Sequence, residues 1–505
     1  MLNDNVVERT FLVPAFLLLA TAVFVRLYPF AGAFFPLNDG ALFLAFVEHI
    51  HAGAYFTEPC VGYNGECVPF AYPPLSFFAA SGLLWLGLAP VQVAVVYPLA
   101  LSLLVVLAAL WLYREVIEDD FIFLLAGAAA LLQVRSIEYL LMGGGISRST
   151  GALFFLLTLI AALAATSGNR TRPAVLGGLF AGLALLAHLE WGINAIVGAV
   201  LLVLFSSRTG AEKARVIVLA GLCAALVVAP WAIWQLSTQG LDPFRSASSS
   251  AHWSLPIAVT ASAQLSFFRP FHLTWLCVIG SVVLWQRREN VWLAMLVAFY
   301  FVTPRHFGSV AVFPTAILLA YGFDSVLNWL RRQLEELPGR VTRPAQGLSM
   351  RAEALAVVVV VALLTVSLVQ QSGNVVGFRK LSPDVQAAAS WAAEEFPDSA
   401  VAAILTDDPW AVSKDAEWWP YLSEHKVLNT VQGSEWLNEG EYMARWQTSE
   451  DLRVAEDCPS VRDVLERLGP PDYVIDVSSR NCVSEFGRPI FDLPGVQLFT
   501  FDHSG

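Results

Sequence analysis

Apolar residues in this chain gather into long unbroken runs, not into the short alternating stretches of a soluble sheet protein. Runs near 11–30, 91–113, 121–142, 151–166, 174–188, 191–206, 215–236, 270–286, 290–303, 309–330 and 352–371 each approach the roughly 20 residues that carry a helix across a bilayer. They predict an all-α polytopic membrane domain of about eleven spans over residues 1–371. The run 73–88 is ambiguous: if it spans, the later topology inverts, and the distribution of basic residues among the loops makes it read as a re-entrant or surface-lying piece. Between 31 and 72 lies a first outer loop. Its text Phe35-Pro36-Leu37-Asn38-Asp39-Gly40 leads into a stretch with Leu42, Phe43, Phe46, Val47 and Ile50 on one helical face and Glu48 opposite, which predicts a helix lying along the interface. After residue 371 the runs shorten. Helices are expected at 383–396 and 460–468, the second stopped by Gly469 and Pro470, and strands at 400–405, 426–431, 472–477 and 497–501. Residues 372–505 therefore read as a separate α/β domain, joined to a chain whose 338–347 stretch is a polar linker.

Composition agrees. Of 505 residues 56% are hydrophobic and only 14% charged, and the mean hydropathy is +0.59. Arg114, Arg170 with Arg172, Arg208 with Lys213 and Arg215, Arg287 with Arg288, and the group Arg331, Arg332, Arg340, Arg343 and Arg351 occupy every second loop. Those loops are then cytoplasmic, which puts the N-terminus inside and the C-terminal domain outside a plasma membrane crossed many times. The first apolar segment has no small-residue cleavage site and reads as a retained span. The formal charge of −12 is not spread evenly. Residues 372–505 hold 23 of the 42 acidic and 10 of the 30 basic residues, a net of −13, which leaves the membrane part at +1. An acidic outer domain excludes nucleic acid as a partner, since phosphates need a basic surface.

Cysteine placement fits that orientation. Cys60 and Cys67 share the first outer loop, Cys458 and Cys482 share the C-terminal domain, and Cys223 and Cys277 sit in apolar runs. Two local disulfides suit an oxidising outer face; free thiols are the alternative, and zinc lacks the paired ligands it needs nearby.

Four polar clusters fall on the outer side. Asn38 and Asp39 open the first loop, where an acid at a membrane boundary is a functional candidate and also good helix-capping chemistry. Gly143, Gly144 and Gly145 precede Ile146, Ser147 and Arg148, so close backbone approach meets a forked donor suited to a phosphate. His188 and Glu190 stand together at a helix end, and Arg305 with His306 at another boundary. Each has a plainer use: glycines for helix packing, a His/Glu pair bonding to itself, arginines snorkelling to headgroups. Together they outline a polar cavity with a base and cations. The sequence has no G-x-S-x-G, H-E-x-x-H or Walker pattern, which removes support for soluble-type hydrolase and NTPase chemistry. A lipid-linked-sugar transporter or flippase would show inverted repeats, and none is evident. A non-catalytic assembly subunit would use the acidic domain as a binding module, with Asp39 only a cap.

The early span, the long outer loop headed by Asp39, the Ala71-Tyr72-Pro73-Pro74-Leu75 text re-entering the membrane and the outer soluble domain together resemble the GT-C superfamily of membrane glycosyltransferases, which includes protein O-mannosyltransferases, aminoarabinose transferases and oligosaccharyltransferases. The resemblance implies that Asp39 is the catalytic carboxylate, that the donor is a polyprenyl-phosphate sugar and that transfer inverts the anomeric centre. Arg148 and Arg305, with Gly144 and Gly145, would then meet the donor phosphate, and Asn38, His188, Glu190 and His306 would support the site. The acceptor would be a glycan, lipid or protein hydroxyl. Departures from the family pattern matter too. Asp39 has neither the paired glutamate common in protein O-mannosyltransferases nor any other acid beside it, and Glu417-Trp418-Trp419-Pro420 has proline where the oligosaccharyltransferase Trp-Trp-Asp motif has its aspartate. No organic cofactor is implied, and a divalent metal stays open because only Asp39 is placed among the oxygen ligands one would need. The outer domain is expected to shape acceptor access and to supply no catalytic base.

Overall fold

The computed structural model describes residues 4–28, 36, 38–167, 171–249, 272–304, 306–335, 346–372, 381–410, 413–480 and 482–501. In chain order the apolar part consists of α1 (Asp4–Leu27), α2 (Gly40–His51), α3 (Leu75–Trp85), α4 (Pro90–Val116), α5 (Asp120–Leu131), α6 (Val134–Leu141), α7 (Gly145–Ser167), α8 (Thr171–Ala187), α9 (Leu189–Phe205) and α10 (Gly210–Thr238). Helices Asp242–Ser249, His272–Gln286, Val291–Val302, Phe307–Val310, Val312–Glu335 and Gln346–Ser372 follow. Among the described residues, α4, α7 and α10 are long and apolar enough to cross a membrane, and the other apolar helices are shorter. The outward faces suit lipid. On α10, Val218, Leu222, Leu226 and Ile233 are all more than half exposed.

The run 121–142, expected as one span, is broken into α5 and α6 at Leu132 and Gln133. Gln133 folds its amide back onto Ala129 O at 2.5 Å, and the carbonyl left over at Leu131 accepts from Arg26 Nη1 at 3.1 Å. Arg26 is fully buried and also donates to Ala22 O and Ser102 Oγ, each at 2.9 Å, so the helix break is met by a cation from α1. Helix packing elsewhere uses glycine as expected. A Cβ on Gly280 would lie 1.8 Å from Leu318 O, and one on Gly322 1.9 Å from Leu276 O, so these two helices touch backbone to backbone.

The C-terminal domain, the expected outer domain, holds a five-stranded sheet in the order β4 (Lys426–Val427), β3 (Val401–Leu405), β5 (Tyr473–Asp476), β7 (Val496–Thr500), β6 (Phe491–Leu493). The first three strands run parallel, β7 runs antiparallel to β5, and β6 runs antiparallel to β7. Strand β6, set between Pro489 and Pro494, has no apolar run to announce it. Helices Pro383–Glu395, Lys414–Ser423, Glu439–Val454 and Cys458–Leu468 complete the domain, and a disulfide joins Cys458 to Cys482. In the first outer loop β1 (Cys60–Tyr63) pairs with β2 (Glu66–Pro69) as a hairpin closed by the Cys60–Cys67 disulfide.

The first loop and the outer domain are not independent. Phe43, Phe46, Val61, Val68 and Phe70 of the loop share one buried cluster with Trp418, Trp419, Val427 and Trp436. Helix α2 is therefore not an amphipathic helix lying on an interface. Every residue from Gly40 to Val47 is buried, because the outer domain covers the face that the pattern assigned to water. Polar contacts fix the same junction: Val427 N donates to Asn64 Oδ1 at 2.6 Å, and Glu66 takes Lys426 at 2.7 Å and Arg445 at 2.9 Å.

Candidate active site

Asn38 and Asp39 both adopt the left-handed backbone region, with φ of 66° and 74°, which is uncommon for residues with a side chain and costs of order 1–3 kcal/mol each. The surroundings hold them there. Gly144 N donates to Asn38 O at 2.7 Å, while Glu417 Oε2 and Oε1 accept from Asn38 N at 2.7 Å and Gly40 N at 2.6 Å. The cap of α2 thus comes from the outer domain, and the Asp39 side chain makes no capping bond to its own helix. Asp39 Oδ2 instead faces Arg148 Nη2 at 3.3 Å.

Glycines make this approach feasible. A Cβ on Gly143 would lie 2.2 Å from Gly40 N, and one on Gly40 would lie 2.9 Å from Trp418, so three layers stack with no side chain between them. A Cβ on Gly144 would lie 2.4 Å from Arg148 Cζ. Gly144 leaves room for the guanidinium, and its amide is taken by Asn38; the Gly145 amide is likewise taken by Met142 O. Arg148 is 8% exposed, bonds Asn38 Oδ1 through Nη2 at 2.8 Å and stacks 4.5 Å over the Tyr139 ring. Its Nε and Nη1 have no hydrogen-bond partner among the described residues.

Beyond Tyr139 lies a second group. The Tyr139 hydroxyl contacts His306, whose Nε2 meets the Glu190 carboxylate, and the His306 ring stands edge-on to His188 at 4.9 Å. One donor atom from each of His188, Glu190 and His306 lies within 4.8 Å of the others, so these three are the side chains placed to hold a metal ion. Tyr72 spans the two groups. It packs on His188 at 6.2 Å and on Trp436 at 5.3 Å, and its phenol is raised above its usual range by burial, with Arg148 opposing and Asp39 and Glu190 adding.

Asn38, Asp39, Gly144, Arg148, His188, Glu190 and His306 are thereby brought to one place, while Arg305 lies outside the described residues. Glu417, Tyr139 and Tyr72 were missed. Glu417 was visible only as an acid before two tryptophans, and its place depends on a docking of domains that no local pattern carries. Burial, then the charge of Asp39, pushes its carboxyl up to about 8 against the pull of the backbone amides it accepts.

No family model and no curated protein matches the sequence. Solved structures do match. ArnT from Cupriavidus metallidurans bound to undecaprenyl phosphate superposes with a TM-score of 0.57 over 97% of this chain and 98% of its own, at 14% identity. AglB from Archaeoglobus fulgidus, in complex with an inhibitory peptide and a dolichol-phosphate, gives 0.53 over 92% and 69%, also at 14% identity. The fold is that of the GT-C superfamily. The mycobacterial arabinofuranosyltransferase AftD matches as well, at 0.53 and 15% identity, with this chain covering 42% of its length. Identities this low establish the fold alone, and any activity has to be argued from the site.

Proposed function

We propose that this chain is a polytopic membrane glycosyltransferase that moves a sugar from a polyprenyl-phosphate donor to an acceptor hydroxyl at the outer face of the membrane, with inversion. The observation that carries this reading is the Asp39–Arg148 pair, a carboxylate held off its own helix beside a buried guanidinium with two unpartnered nitrogens among the described residues. Solved proteins of this fold hold undecaprenyl phosphate and dolichol-phosphate, ligands with the anionic head that such a guanidinium takes.

In the step itself the acceptor oxygen forms a bond to the anomeric carbon while the bond from that carbon to the phosphate oxygen breaks. The electron pair leaves with the polyprenyl phosphate, and the acceptor proton passes to Asp39 as general base. Arg148 Nε and Nη1 meet the charge growing on the phosphate, typically the largest contribution in such a site. Gly144 serves by leaving that guanidinium its space. In this reading the chain crosses the membrane about eleven times, with the N-terminus in the cytoplasm, residues 1–371 forming the transferase domain and residues 372–505 outside. The polyprenyl tail lies between helices, and the acceptor is a glycan, lipid or protein.

The test compares surface glycans and glycoproteins by mass in cells carrying the wild-type chain, the Asp39→Asn chain or neither. Loss of the same sugar mass in the second and third supports the reading. Identical glycan masses in all three would sink it.

A further inference from the structure

We propose that His188, Glu190 and His306 bind one divalent transition-metal ion of the zinc class, next to Arg148. Two imidazoles and one carboxylate present donor atoms that lie within 4.8 Å of one another. Both rings are deeply buried, His188 at 5% and His306 at 6% exposure. A His/Glu ion pair would use Glu190 and one ring; the second buried ring, edge-on to the first, brings a third lone-pair donor to the same point.

The scaffold is fixed from both sides. His188 is the extended residue before α9 and Glu190 lies in its first turn, while His306 precedes the short helix Phe307–Val310. Asn194 Nδ2 joins these two outer turns by donating to Glu190 O at 2.8 Å and to Thr303 Oγ1 at 2.7 Å. On the far side a Cβ on Gly151 would lie 3.0 Å from the His188 Cβ, so α7 backs directly on the start of α9. The Tyr139 hydroxyl contacts both ring nitrogens of His306, so the tyrosine closes one side of the cluster and holds the imidazole in place.

The donor set selects the ion. Two nitrogens and one carboxylate suit Zn²⁺, Co²⁺, Fe²⁺ or Mn²⁺, whereas Mg²⁺ and Ca²⁺ prefer all-oxygen sites. Three protein ligands leave a coordination position open, as in sites that bind a reacting group. Arg148 stacks on the ring of Tyr139, the residue whose hydroxyl touches His306, so the cluster and the guanidinium share one neighbour. Resting on the glycosyltransferase reading, the ion takes a phosphate oxygen of the donor there; the ion site itself does not depend on that reading.

The full chain, purified in detergent and stripped with chelator, is titrated with Zn²⁺ and with Co²⁺. Bound metal is read by elemental mass spectrometry and the Co²⁺ visible spectrum, alongside a thermal melt of each apo protein. We expect about one ion per chain in wild type and in Asp39→Asn, a nitrogen-ligated Co²⁺ spectrum, no displacement by excess Mg²⁺ or Ca²⁺, and loss of that ion in His188→Ala, Glu190→Gln and His306→Ala. Wild-type protein that takes up no stoichiometric ion overturns the proposal without any variant. So does an ion that survives both histidine changes, or one that Asp39→Asn removes. These readouts need no sugar transfer, so failure of the enzymatic reading leaves them intact.

Discussion

The carboxylate of Glu417 accepts from the backbone amide of Gly40 at 2.6 Å across 377 residues of sequence. One acid of the outer domain thus sets the backbone on which Asp39 stands, and Asp39 is released from capping its own helix to face Arg148.

Asp39→Asn should abolish transfer while the protein remains folded and inserted. Loss of a general base typically lowers the rate about 10²- to 10⁴-fold, and asparagine keeps the shape and the Arg148 contact in neutral form. Single-turnover transfer with the purified variant, next to a thermal melt, measures both. Transfer at the wild-type rate would reduce Asp39 to a backbone element.

Arg148→Ala should weaken donor use by about 1.5 to 3 kcal/mol, since it removes charge-assisted hydrogen bonds to a phosphate. Gly144→Ala should imitate it in part, because the new Cβ displaces the guanidinium from 2.4 Å. Donor-concentration series on both variants read this out. Unchanged kinetics in both would assign Arg148 to packing on Tyr139.

Glu417 gives a pH dependence with a definite sign. Its folded carboxyl, pushed up to about 8 first by burial and then by Asp39, holds a proton that the unfolded chain has already released. Stability should therefore fall as pH rises from roughly 5 to 8, by at most about 1.4 kcal/mol per unit, and level off above that range. Glu417→Gln should flatten the profile. Thermal melts from acid to mild alkali compare the two chains, and parallel profiles would remove Glu417 as the titrating group.

Truncation after residue 371 should stop transfer even to a small soluble acceptor, because it strips Glu417 and Trp418 from the first loop. Residues 38–69 should then become accessible to protease. A truncated chain that keeps this loop protected and transfers normally would show that the shared core is dispensable.

Much of this was legible in the sequence. The apolar runs, the disulfide partners and the convergence of Asp39, Arg148, His188, Glu190 and His306 all follow from hydropathy, turn chemistry and charge placement. The misreadings have one cause. The face of α2 with Glu48 looked polar enough for water, and Glu417 stood out only as the acid before two tryptophans, since periodicity describes an element before it meets its partner. The break at Gln133 was hidden likewise, because it depends on Arg26, which is more than a hundred residues away in sequence.

The Glu417 contact also orders events in time. Asn38 to Gly40 leave the ribosome hundreds of residues before Glu417 does, a delay of roughly 20 to 75 s at about 5–20 residues per second. Through that interval the loop bearing Asp39 still lacks the acid that fixes its backbone. On the proposed reading, a nascent chain stays silent toward donor lipid until the domain carrying Glu417 has been made and docked, so that this docking acts as the licence for chemistry.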